Sequence, residues 1–108
     1  MEFLVEFDLN IPAGASESEV DGRQRAEASA AAKLVDDGHL VRLWKPPAAA
    51  AANKTLGLYR ADSETQLDGL LDALPLRDWM RVAVTPLEPH PNDPAASGAD
   101  MFADRAQP

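Results

Sequence analysis

SESEVDGRQRAEASAAAKLVDDG, residues 16–38, is the stretch on which the fold turns. Ser16 followed three residues later by Glu19 makes a capping-box pair. Alanine fills much of Ala26 to Ala32 and favours helix, and Gly38 suits the turn just past a helix end. A single long amphipathic helix is therefore expected here. Val20, Glu27, Ala31 and Leu34 share its apolar stripe, so a carboxylate stands where a hydrophobe belongs. Burying an unpaired carboxylate is costly and raises its pKa, the condition a general acid or base needs.

Segments of strand period flank this helix. Glu2 to Leu9 alternates, with Phe3, Val5, Phe7 and Leu9 on one side and Glu2, Leu4, Glu6 and Asp8 on the other. Ile11-Pro12-Ala13-Gly14 breaks it. His39 to Lys45 is a second strand, expected to place Leu40, Arg42 and Trp44 on one face and Val41 and Leu43 on the other. Pro46-Pro47 ends it, and residues 48–52, all alanine, are expected as a loop. Thr55 to Ala61 is a third strand. Ser63 and Gln66 cap a second helix with a Leu67, Leu70, Leu71 and Leu74 stripe, which Pro75 stops. Arg81 to Leu87 is a fourth strand, and Pro86 points to an edge position. A Pro-rich arm follows, and residues 95–108 carry the composition of a disordered tail.

The order strand-helix-strand-strand-helix-strand is the split β-α-β arrangement of the α+β, ferredoxin-like βαββαβ fold. It calls for a four-stranded antiparallel sheet with both helices on one face, within one domain over residues 1–94. The other face would carry Leu4, Arg42 and Trp44, a mixture expected to be covered by a second copy of the chain.

Eighteen Asp and Glu against 10 Lys and Arg give a formal charge of −8. A field of that sign repels phosphate backbones and anionic lipid, so neither nucleic acid nor membrane is an expected partner. There is no cysteine and there are only two histidines, His39 and His90, so no metal site is expected. No apolar run approaches the ~20 residues of a membrane span, and the cytoplasm is the expected location.

Taken in order, several pieces resemble the muconolactone Δ-isomerase family. They are Met1-Glu2-Phe3-Leu4-Val5 leading to Asp8-Leu9-Asn10-Ile11-Pro12, Glu27 ahead of Gly38, Arg42-Leu43-Trp44, and Asn53 before the third strand. Leu70-Leu71 with Leu74-Pro75-Leu76, Trp79-Met80, and Val84-Thr85-Pro86-Leu87 with His90-Pro91 complete the series. The resemblance implies a dimeric α+β barrel, often built into larger rings. It also implies a cavity between helices and sheet, and a cofactor-free proton transfer along an unsaturated lactone. The chain departs from the pattern at Pro46 to Ala52, which lacks the family's Gly-Arg pair, at Asp68, and at Arg77-Asp78.

Within that resemblance Glu27 is the catalytic base, against the alternative of an ion pair with Arg23 or Arg42. Arg42 and Asn53 are candidate polar anchors for substrate. Trp44, Tyr59 and Trp79 are candidate pocket walls, each equally at home in a core or interface. The function that follows is a proton-shifting isomerase on a small unsaturated lactone or related carbonyl compound. A biosynthetic isomerase or cyclase, a cofactor-free monooxygenase and a non-catalytic oligomeric binding protein are the alternatives this fold admits.

Overall fold

The computed structural model describes residues 1–47 and 53–95. The loop expected over 48–52, and all of the expected tail but its first residue, lie outside the described residues.

Strand β1 (Glu2–Leu9) is followed by helix α1 (Glu17–Asp36), strands β2 (Leu40–Trp44) and β3 (Lys54–Arg60), and helix α2 (Glu64–Asp72). A single 3₁₀ turn (Arg77–Trp79) then leads into β4 (Met80–Leu87). The sheet order is β2-β3-β1-β4, with all neighbours antiparallel. This is the ferredoxin-like arrangement.

Local chemistry sets the element ends. Ser16 Oγ accepts from the Glu19 N–H at 3.1 Å and starts α1. The helix closes in a Schellman turn, in which Gly38 N–H donates to Val35 O and His39 N–H to Leu34 O. That turn needs the left-handed backbone that Gly38 adopts at φ +82°. Ser63 Oγ caps α2 through the Gln66 N–H, while the Gln66 side chain reaches back to the Asp62 N–H.

Alternation along β1 sends Phe3, Val5 and Phe7 to one face, where they meet Leu34 of α1 and Leu67 and Leu71 of α2 in one cluster. Both helices therefore cover the same side of the sheet. Phe3 and Leu67 are completely buried, each contributing about 1.5–3 kcal/mol by removal from water.

Strand β2 departs from simple alternation. Leu40 pairs with Tyr59 but Arg42 with Leu58, so Val41 is an extra residue in a β-bulge. Leu40 is thereby turned onto the helix-covered face with Tyr59, where it is 5% exposed. Leu43, opposite Gly57, also faces the helices, while Arg42 and Trp44 stand on the open face opposite Leu58 and Leu56. The expectation that Leu40 shares a face with Arg42 and Trp44 is thus corrected, because one inserted residue changes the parity of the strand. Leu4 also pairs with Leu58, which puts Leu4, Arg42 and Trp44 together on the open face.

Candidate active site

Between α1 and the sheet lies a cavity of about 330 Å³. Its floor is the inner face of the sheet (Phe7, Leu43, Thr55, Tyr59), its wall is α1 from Gln24 to Leu34, and Leu74, Leu76 and Met80 close one side. Most of that lining is apolar. The polar groups reaching it are Gln24, Glu27, Asn53, Thr55 and Tyr59. No Lys or Arg is among the described residues that line it.

Glu27 is half-buried on the cavity side of α1. Its Oε1 accepts the backbone N–H of Leu76 at 3.0 Å. Loss of water around the carboxylate pushes its pKa above the ordinary value, and the Leu76 N–H, which favours the charged form, pulls it part of the way back. No ion pair to Glu27 forms among the described residues. Both guanidinium partners considered above are engaged elsewhere. Arg23 reaches Glu19, the Pro75 carbonyl and the face of Trp79, and Arg42 lies over Trp44 with its Cζ 5.1 Å from the ring centre.

Tyr59 comes into the same cavity from β3 and is 3% exposed. Burial, and after it the negative charge of Glu27, push its phenol up to about 12, so it stays protonated and able to donate at neutral pH. Its ring leans across Gly57, where an added Cβ would lie 2.5 Å from Tyr59 Cε1. Only a residue without a side chain leaves room for that tilt. Phe7 supports the ring from the neighbouring strand, centre to centre 6.1 Å and tilted by 59°.

Asn53 sits at the rim, where its carbonyl accepts the Leu9 N–H at 3.0 Å and ties the starts and ends of neighbouring strands together. Its exposed side chain lines the cavity. The fold therefore brings Glu27, Asn53 and Tyr59 to one place. It does not bring Arg42, Trp44 or Trp79 there. The first two face away across the sheet, and Trp79 is 8% exposed beneath Arg23, outside the lining. Sequence reasoning missed the Leu76 N–H and the need for Gly57; a backbone donor carries no side-chain signal, and a strand glycine next to an aromatic was the available clue. Among the described residues no cluster of three His, Asp or Glu side chains is arranged to hold a metal ion, and no helix is long and apolar enough to cross a membrane.

Comparison with known proteins bears on the family and the fold. The muconolactone delta-isomerase family profile matches residues 1–93. Muconolactone Delta-isomerase of Cupriavidus pinatubonensis is 29% identical over 92 residues, covering 85% of this chain and 97% of that protein. Muconolactone Delta-isomerase 1 of Acinetobacter lwoffii is also 29% identical over 92 residues, covering 85% and 93%. A crystal structure of muconolactone isomerase superposes with a TM-score of 0.77 at 22% identity, over 93% of this chain and 98% of that one. The 5-chloro-2-hydroxyhydroquinone dehydrochlorinase of Burkholderia phenoliruptrix, solved with 2,5-dihydroxybenzoquinone, shares the fold more distantly, with a TM-score of 0.59 at 12% identity over 83% and 96%. With its fold, its element order and nearly its whole described length accounted for, the chain belongs to the muconolactone delta-isomerase family and is, on that membership, an isomerase.

Proposed function

We propose that this isomerase moves a proton within a small unsaturated lactone or related carbonyl compound, without a cofactor, and that Glu27 is its base and acid. The Glu27 carboxylate takes a proton from the carbon next to the lactone carbonyl, and the electron pair left behind delocalises into a dienolate. The Tyr59 hydroxyl and the Asn53 amide donate to the oxygen on which that charge collects. The protonated Glu27 then returns its proton to the far carbon of the conjugated system, and the enzyme ends as it began. A raised carboxyl pKa suits both halves, since the group must first accept and then release the same proton.

One observation carries this reading. A half-buried carboxylate faces a ligand-sized apolar cavity, and no cation among the described residues neutralises it. Glu27→Gln tests it, because the amide oxygen keeps the hydrogen bond from Leu76 but cannot take up a proton. Turnover of unsaturated lactones should fall by about 10²–10⁴, with the circular dichroism spectrum unchanged. Full activity in that variant eliminates the assignment.

The same reading includes self-association. The open face presents Leu4, Leu56 and Leu58 beside Trp44, which is 40% exposed, and a second copy covering that face would build the dimeric barrel. Trp44→Glu should lower the mass of the assembly in sedimentation.

A further inference from the structure

Arg23 and Glu27 stand one turn apart on α1 and hold opposite ends of the same peptide group. Arg23 Nη1 donates to the carbonyl of Pro75 at 3.3 Å. The N–H of the next residue, Leu76, donates to Glu27 Oε1 at 3.0 Å. That carbonyl and that N–H belong to a single planar, trans unit and point in opposite directions. Arg23 is held in turn, with its Cζ 4.3 Å from the centre of the Trp79 ring. Trp79 is itself fixed, because its N–H donates to Leu76 O and its carbonyl accepts from the Asn10 N–H.

We propose that Arg23 is a positioning residue for Glu27, acting through the Pro75–Leu76 peptide. Its catalytic meaning rests on the reading of Glu27 as base. A guanidinium on the carbonyl draws electron density through the amide and makes the N–H a stronger donor, as successive hydrogen bonds polarise one another. It also fixes where that N–H points, so Glu27 is anchored by Oε1 and its second oxygen makes no hydrogen bond among the described residues. The Arg23–Glu19 contact is not a competing explanation: at 4.0 Å between partly exposed side chains it is worth little.

The other groups around Glu27 leave this part to Arg23. Tyr59 approaches from β3 as a neutral phenol. Arg77, in the 3₁₀ turn, is directed to Asp72 and to the Met80 carbonyl. β1, β2 and β4 contribute Phe7, Leu9, Leu43 and Met80, none of them charged.

The test compares the full chain with R23M, which keeps a long stem against Trp79, and R23K, which keeps the charge without the planar fork. Carbon-13 NMR follows the Glu27 carboxyl through its titration, and amide exchange is read at Leu76. In R23M the Glu27 midpoint should rise by about half a unit or more, and Leu76 exchange should quicken roughly tenfold. R23K should lie closer to R23M than to the parent chain, and the acid limb of the pH–rate profile should move with the carboxyl midpoint. An unchanged midpoint and unchanged Leu76 exchange in R23M overturn the proposal. So does full restoration by R23K, which would mean that a charge at a distance suffices. Both NMR readouts need no substrate, so they stand or fall apart from the loss of turnover in Glu27→Gln.

Discussion

The two faces of this sheet are made from the same strands, residue by residue in alternation, and they have opposite fates. On the helix side Phe3, Val5 and Tyr59 are 0–3% exposed and a cavity opens beside them. On the other side Leu4, Leu56 and Leu58 are only partly covered, and Arg42 and Trp44 are exposed. Hydrophobicity alone does not separate the two sets. What separates them is which side α1 and α2 lie on, and hence the parity of each residue's position along its strand. An apolar cavity with one half-buried carboxylate lies on one parity, and partly exposed leucines beside Trp44 on the other.

The largest expected effect tests that contrast directly. Phe3→Ala should cost about 3–5 kcal/mol in urea denaturation, whereas Leu4→Ala, one residue along, should cost the monomer less than about 1 kcal/mol. Equal losses would mean that the faces are not distinct in packing. Next, Gly57→Ala sets a methyl group against the Tyr59 ring and within 3.1 Å of Leu43 Cδ2. Overpacking there should cost about 1–3 kcal/mol, and the displaced ring should lower turnover roughly tenfold, measured by initial rates on an unsaturated lactone.

The pH dependence sharpens the inner side of the comparison. Because burial raises the Glu27 pKa, kcat/KM should climb with pH through a midpoint above the ordinary carboxylate value, as the base loses its proton. Stability should run the other way. The folded state holds that proton more tightly than the unfolded chain, so this contribution is complete below the unfolded pKa and is lost as pH rises through the folded one. Glu27→Gln should remove that slope, visible as a smaller loss of Tm between the two values. The smallest effect belongs to the open side. Arg42→Gln should alter kcat/KM by less than about threefold. A loss comparable to that of Glu27→Gln would show that this face of one copy serves the cavity of another.

Most of the fold could be read from residue order. The alternation of β1, the two Ser caps and Gly38 place both helices and the first strand, and the leucines of α2 state which way that helix faces. Glu27 was legible as a charged residue on an apolar stripe. The β2 bulge was not, because Leu40, Val41, Arg42 and Leu43 satisfy the pattern of either face, and the register is settled only by pairing with β3. That single residue turns Leu40 inward and leaves Arg42 and Trp44 on the open face, where alternation also put them; only the family resemblance had made those two candidates for the cavity. Trp79 misled for a related reason, since an aromatic side chain fits a pocket wall and a buried platform for Arg23 equally well. The Leu76 N–H was out of reach altogether, because its direction depends on a turn that brings residues 27 and 76 together across the chain.

The rims of the sheet differ from its faces in what they can bind. One outer strand, β2, is five residues long and kinked by the extra Val41, while the other, β4, carries Pro86, which has no N–H to offer. Neither rim is a good template for a further strand. Growth by lateral zippering, the route toward fibres, is thereby discouraged at both ends. What the rims leave available to a second copy is the broad open face, where contact would be made by side chains rather than by backbone.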